Sequence, residues 1–327
     1  MVRPGEIVAD AIMTKTTRAI HLTFQKCGSQ WVAQVLGDPE ISALTGVPFH
    51  LGGVDLAVMD WPQQPVGSFM APVYGAGLAD WQAHRGPGDK AVVVIRDPRD
   101  LAISLVYSLS YSHWPGPIVT LLRDILLPMD LRSRIFWGME QVIFKSKALS
   151  SWVGNCSSET ELVVRYEDLV ATPEAGFARV FSFLGWDVPQ DMLQRVVKRH
   201  SFAERSGRLP GQEDIFSHYR KGQAGDWKRH FDRDLGRIWE EVMPGLVRSL
   251  GYESDDRWYE GLPVESGVGA LPEGETQLKT AVELQAEIAR MREENVALHR
   301  VLAACQEHCV ELERQLLQRQ ANSGINS

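Results

Sequence analysis

Three apolar runs of strand length punctuate the chain, at Arg18–Phe24 (RAIHLTF), Ala91–Ile95 (AVVVI) and Glu161–Arg165 (ELVVR). Short continuous runs rich in branched residues suit strands covered on both faces, as in a parallel sheet. Each is followed by helical spacing, at Gln30–Leu36, Asp100–Ser110 and Pro173–Leu184. This alternation predicts an α/β fold of three layers around a central parallel sheet. Ligands of such sheets bind beyond the carboxyl ends of the strands, so the turns leaving those ends are where chemistry is expected.

The pattern changes near residue 253. From Glu253 to Glu275 the chain is rich in Gly, Pro, Ser and acid and has no periodic apolar face. The spacing therefore predicts a globular domain over 15–252 and a flexible linker over 253–276. A heptad follows over 277–319: Ala281, Leu284, Ile288, Met291, Asn295, Leu298, Leu302, Cys305, Cys309, Leu312 and Leu316 alternate steps of three and four. Sustained spacing of that kind predicts a coiled coil. Asn295 falls at an a position, where a buried amide fixes register, often in a parallel dimer. Residues 281–316 are thus expected to make the chain a homo-oligomer, with Cys305 and Cys309 as small seam residues.

Composition narrows the class. The 327 residues are 44% hydrophobic and 23% charged, an ordinary globular balance, and carry a net charge of −8. That sign argues against a nucleic-acid or membrane-surface binder. No apolar run approaches the roughly 18 residues of a membrane span, so membrane insertion is not expected. The first residues lack a basic-then-apolar leader pattern. Four cysteines, Cys27, Cys156, Cys305 and Cys309, show neither zinc spacing nor the density of a disulfide scaffold. A reducing compartment and no metal are the expectations.

Two turns carry the chemistry. The first strand runs into Gln25-Lys26-Cys27-Gly28-Ser29-Gln30-Trp31. Unpaired N–H groups at a helix N-terminus suit a phosphate; Gly28 lets the backbone approach, Ser29 adds a hydroxyl and Lys26 a full charge. The loop is not GxxxxGK[ST], which the chain lacks; an ATPase, GTPase or small-molecule kinase reading is weakened accordingly. The second strand ends in Arg96-Asp97-Pro98-Arg99-Asp100. Pro98 suits a first helical position and Asp97 its cap, leaving Arg96 at the strand end and Ser104 two turns along. A guanidinium and a hydroxyl that converge can grip a second phosphate.

These pieces in this order, strand–KCGSQW then strand–RDPRDLAIS, resemble the family of sulfotransferases that use 3′-phosphoadenosine 5′-phosphosulfate (PAPS). Further matches follow: Val164–Leu169 with Pro173 and Phe183-Leu184-Gly185; His200-Ser201-Phe202; and Arg220-Lys221-Gly222, then Gly225-Asp226-Trp227-Lys228 and Phe231, similar to the family's RKGxxGDWKxxF signature. The resemblance spans about 18 to 232 and implies a P-loop NTPase-like sheet, a PAPS donor and no metal. It implies that Lys26, Cys27, Gly28, Ser29, Gln30 and Trp31 hold the 5′-phosphosulfate end, with Trp31 against the adenine. Arg96, Ser104, Arg220, Lys221 and Gly222 would hold the 3′-phosphate, and Tyr166, Ser201 and Phe202 the adenine. A donor with two anionic ends needs two basic clusters with aromatics between them, which the sequence supplies.

The family's reaction is in-line sulfuryl transfer to an acceptor hydroxyl or amine. Lys26 would be catalytic, stabilising charge on the leaving 5′-phosphate. The family's general base is a His in a K-x-H-x-P-like stretch; the nearest equivalent here, Gly67–Pro72, has none. Between the motifs lie His50, Asp60, Tyr74, Asp80 and His84; His84 is the candidate base because imidazole is the side chain suited to proton transfer near neutral pH, with an acidic residue or no side-chain base as the alternatives. The family's short KxxxTVxxxE dimerisation segment is also absent after Lys228. Loops over 48–83 and 112–130, with Trp61, Trp81, Tyr111 and Trp114, are expected to shape the acceptor pocket. The acceptor itself, a small molecule or the hydroxyl of a glycan or lipid, is left open. PAPS is made in the cytosol, so a cytoplasmic enzyme is expected. The alternative is a non-catalytic nucleotide-binding scaffold that oligomerises through its coiled coil.

Overall fold

The computed structural model describes residues 17–57 and 59–264. Five strands form one parallel sheet: β1 Ala19–Thr23, β2 Phe49–Asp55, β3 Phe69–Tyr74, β4 Lys90–Ile95 and β5 Glu161–Arg165, in the order β2-β3-β1-β4-β5. Three of these are the strands read from the apolar runs. β1 and its two neighbours are the most deeply buried, as sheet-centre strands must be. Helices α1 Ser29–Leu36, α2 Pro39–Thr45, α3 Leu78–His84, α4 Pro98–Tyr107, α5 Pro117–Leu126, α6 Leu131–Ser151, α7 Tyr166–Ala171, α8 Pro173–Leu184, α9 Gln190–Arg199, α10 Phe202–Ser206, α11 Arg233–Val242 and α12 Leu246–Ser249 fill the connections and flanks.

β2 has no apolar run to betray it. Its sequence FHLGGVD is half-exposed, and the pairing with β3 slips between Leu51 and Val54, where Gly53 takes a left-handed φ of 64°. A bulged edge strand breaks the pattern on which a sequence reading rests. α4 starts as its sequence demands, with Pro98 in the first turn and the Asp97 side chain accepting the Arg99 N–H at 3.0 Å. It ends in a π-helical turn, Ser108–Ser112.

The stretch expected to be linker begins as part of the packed domain. Glu253 pairs with Arg99 at 2.8 Å, and Arg99 is itself buried between the rings of Trp227 (3.6 Å) and Trp258 (4.4 Å). Trp258 Nε1 donates to Glu240 at 2.6 Å, and Tyr259 sits so close to Gly236 that a Cβ there would lie 2.3 Å from it. The composition of 253–264 is that of a linker, but its two aromatics bury against α11. The remainder, 265–276, and the heptad segment 277–319 lie outside the described residues. Among the described residues no helix is long and apolar enough to cross a membrane.

One core residue is out of character. His21, in the centre of β1, is fully buried, neither ring nitrogen has a hydrogen-bond partner among the described residues, and burial holds its pKa down at about 3. The folded chain therefore binds fewer protons than the unfolded chain between about pH 3 and the ordinary 6.5. Stability is full above pH 6.5 and falls on acidification, by about 2 kcal/mol at pH 5 from this group alone. His21→Leu should flatten the dependence of denaturation midpoint on pH between 5 and 7; an unchanged slope would refute the assignment.

Candidate active site

The loop between β1 and α1 is bent by two left-handed residues, Lys26 (φ 72°) and Gly28 (φ 77°), on either side of buried Cys27. A positive φ at a non-glycine residue is strained and is kept where the surroundings enforce it. Gly28 is the N-cap of α1 and no described side chain caps the helix, which leaves its first N–H groups for a ligand. The Tyr166 ring lies against Gly28, where any Cβ would come within 2.7 Å of it. Lys26 reaches across the loop to the π-helical turn, donating to Ser108 Oγ at 3.0 Å. Burial, and then the charges of Arg96 and Arg220, hold its pKa down at about 8.

Arg96 leaves the end of β4 and is buried under the same loop. It donates to the Lys26 carbonyl at 3.0 Å, meets Asp100 at 3.4 Å and lies over the Tyr166 ring at 4.6 Å. Among the described residues its Nε has no partner, nor does buried Nε1 of Trp31. Ser104 is half-buried two turns into α4. Trp31 meets Tyr166 and Phe177 edge-on, at 6.4 and 5.2 Å between ring centres.

The C-terminal signature is brought here by Asp100. Its buried carboxylate accepts the N–H of Gly225 at 2.7 Å and of Trp227 at 2.8 Å, 125 and 127 residues away. That places Arg220 over the Tyr107 ring at 4.5 Å. Arg220 and Lys221 both pair with Asp226, and Arg220 also with Glu213 at 2.5 Å. Gly222 (φ 60°) is pressed on the Phe202 ring, which would lie 2.3 Å from a Cβ. Ser201 caps α10 through the Glu204 N–H at 3.3 Å. The neighbouring His200 and Arg199 bond buried Asp38, each at 2.8 Å, which fixes this turn against the start of α2.

Four stretches far apart in sequence thus converge on one end of the sheet, and three like charges face one another there. Arg96 is paired with Asp100 and Arg220 with Asp226 and Glu213, whereas the hydrogen-bond partner of Lys26 is a neutral hydroxyl, so cations gathered this closely fit a polyanionic ligand. Aromatics Trp31, Tyr166 and Phe202 stand among them, suited to a flat ring. Cys27 is not a nucleophile: burial pushes its thiol up to about 12.

His84 does not belong to this site. It is the last residue of α3, stacked on Trp61 at 4.6 Å, and its carbonyl accepts from Arg18, just before β1 begins. It therefore lies at the amino ends of the strands, across the sheet from Lys26. The reason is the crossover itself, since α3 runs antiparallel to β3 and returns the chain to the start of β4. Of the residues between the two motifs, Tyr74 instead stands at the carboxyl edge. It ends β3 opposite Thr23 of β1 and Asp55 of β2, and its hydroxyl is 3.0 Å from Ser29 Oγ and 3.3 Å from Gln30 Nε2. Two histidines not singled out in the sequence face Lys26 from another side. His113 closes the π-helical turn, its N–H donating to the Ser108 carbonyl at 2.7 Å, and His218 comes from the loop before Arg220. Burial and the Lys26 charge hold both imidazoles below the usual range, His218 at about 4. Neither follows a strand, so no motif marked them.

The sulfotransferase domain model matches residues 87–251, half of the chain, and the chain belongs to that family. It is 24% identical over 273 residues to 3-alpha-hydroxysteroid sulfotransferase of Cavia porcellus, covering 74% of this chain and 89% of the relative. Sulfotransferase 2A1 of Homo sapiens is 21% identical over 272 residues, covering 74% and 90%. Mouse sulfotransferase SULT7A1, solved as a complex with PAP, shares the fold with a TM-score of 0.51 at 15% identity, over 72% of this chain and 88% of that one.

An anion entering beside Lys26 should raise its depressed pKa and draw a proton from solvent. At pH 8, titration of adenosine 3′,5′-bisphosphate (PAP) should give a binding enthalpy that varies with the buffer's ionisation enthalpy, by up to about half a proton taken up. The dependence should disappear in Lys26→Met; the same dependence in that variant would show that another group titrates.

Proposed function

We propose that this protein transfers the sulfuryl group of PAPS to a hydroxyl, or an amine, of a small acceptor. The observation that carries this reading is the meeting of Lys26, Arg96 and Arg220 at the carboxyl ends of β1 and β4, close enough for the two arginines to depress the lysine. PAPS supplies an activated sulfuryl group between a 5′-phosphate and its acceptor. The chain's own residues bind and orient it. The α1 N-terminus and Lys26 take the 5′ end, while Arg96, Ser104, Arg220, Lys221 and the Gly222 backbone take the 3′-phosphate. Tyr166, Phe202, Ser201 and Trp31 border the ring. Orphaned Arg96 Nε and Trp31 Nε1 are donors left over for a ligand.

As the sulfur–oxygen bond to the 5′-phosphate breaks, charge grows on the phosphate oxygen. Lys26 and the unpaired N–H groups of α1 face that charge in a buried setting, where such donors contribute about 3 kcal/mol each. A hydroxyl acceptor agrees with the relatives named as hydroxysteroid sulfotransferases, which makes a 3-hydroxysteroid the first probe to try. We further propose that the chain self-associates through residues 281–316; a chain lacking residues 276–327 should then contain fewer copies per particle by light scattering than the full chain, and an unchanged copy number would refute this.

Calorimetric titration of PAP into the wild type should show micromolar binding, weakened at least about tenfold in Arg96→Ala, since a buried charged donor is removed. Labelled PAPS with the hydroxysteroid should then give labelled steroid sulfate. Tight PAP binding with no transfer to any alcohol, phenol or amine would favour the nucleotide-binding scaffold. Absence of PAP binding would remove both.

A further inference from the structure

The acceptor's proton needs a path, and the residue taken for it from sequence is on the wrong side of the sheet. Three polar groups at the right side form a chain. Tyr74 is half-buried at the carboxyl end of β3, and its ring is held by a strand paired on both sides. Its hydroxyl meets Ser29 Oγ at 3.0 Å, and Gln30 Nε2 donates to it at 3.3 Å. Ser29 and Gln30 open α1, so they border the unpaired N–H groups assigned to the 5′-phosphate. Beneath them Gln25 Nε2 donates to Asp55, which fixes the end of β2 against the same loop. With the Gln30 N–H occupying one lone pair of Tyr74, its own hydrogen is free to point at Ser29 and its second lone pair at an incoming hydroxyl.

We propose that Tyr74 is a catalytic residue of this chain, passing the acceptor's proton through Ser29 to the departing 5′-phosphate. This rests on the sulfuryl-transfer reading above. In the step, the acceptor oxygen forms its bond to sulfur while the sulfur–oxygen bond to the 5′-phosphate breaks, leaving its electron pair on the phosphate. The acceptor's proton moves to Tyr74 Oη, the Tyr74 proton to Ser29 Oγ, and the Ser29 proton to the phosphate oxygen. No group ends with a changed charge except donor and acceptor, and no external base is consumed. Sitting in a strand end and a helix start, the relay is held by rigid elements, as short proton transfers require.

The test compares wild type and Tyr74→Phe, with PAP titrations and with transfer from labelled PAPS to two probes, 4-nitrophenol and a 3-hydroxysteroid. PAP affinity should stay within threefold, showing an intact donor site. Turnover with the steroid alcohol should fall by a hundredfold or more, within the usual range for a proton-transfer group. With the acidic phenol, which parts with its proton easily, the loss should be tenfold or less. The solvent deuterium isotope effect on the steroid reaction should change as well. Turnover within threefold of wild type, or equal losses with both probes, would overturn the relay. A wild type that neither binds PAP nor transfers to either probe would overturn the underlying reading instead, and the relay with it.

Discussion

A buried carboxylate on α4 organises this site. Asp100 is shut away from solvent, and removing such a charge from water is tolerated only if its oxygens are fully engaged. The N–H groups of Gly225 and Trp227 and the guanidinium of Arg96 do this together. The consequence is topological. A segment more than 120 residues downstream is pinned to the first turn of the helix that follows β4. Arg220, Lys221 and Gly222 come with it. Next to Asp100, Arg99 does the same work with apolar partners, stacked between Trp227 and Trp258 and bonded to Asp97 and Glu253. Trp227 thereby has a packing role, and the chain as far as Val264 is held to the domain.

Pinning cations together creates the second constraint. Arg220 and Lys221 are offset by Asp226, and Arg220 also by Glu213. Burial, opposed by bonds to His230, Arg220 and Lys221, leaves the Asp226 carboxyl well below its usual range, so it stays charged. Among the described residues no carboxylate pairs with Lys26; its hydrogen-bond partner is the neutral Ser108 hydroxyl. The two ends of the site are therefore electrically different. At one end an incoming phosphate must share cations with carboxylates, whereas at the other it meets a lysine whose charge is only partly favoured until an anion arrives. Much of the orientation of a ligand with two unlike anionic ends is contained in that asymmetry.

Sequence pattern revealed β1, β4, β5 and the helices that follow them because buried parallel strands are written as continuous apolar runs. It also revealed the loop at Lys26 and the cap at Asp97, since each is a local motif with a local cause, whereas the basic signature near Arg220 stood out only through the family resemblance. β2 was hidden by its glycines and its bulge, and the ordered stretch 253–264 by its acid and glycine content. His84 shows a different limit. Its spacing from Arg96 is short, but sequence distance along an α/β crossover does not tell one end of the sheet from the other. Which side a residue occupies follows from the direction of α3, and that emerges only with the fold.

Lys26 lies between two walls of unlike construction. On one side Tyr74 and Ser29 are set by strand pairing and helix start, elements whose backbone hydrogen bonds fix them to a fraction of an ångström. On the other, His113 and His218 are exposed side chains at the end of a π-helical turn, whose Ser108, Leu109 and Ser110 are buried, and on an irregular loop, and Phe216 rests edge-on against Tyr111 at 5.8 Å between the two. Groups that move protons over hydrogen-bond distances need the first kind of support; groups that admit and sort acceptors of different shape need the second. The imidazoles, whose pKa values partial burial and the Lys26 charge both lower, can bond an acceptor without adding a charge to a site already crowded with cations. Division of labour between a rigid strand-end wall and an adaptable loop wall follows from where the fold places each side chain, and it assigns proton transfer to the former.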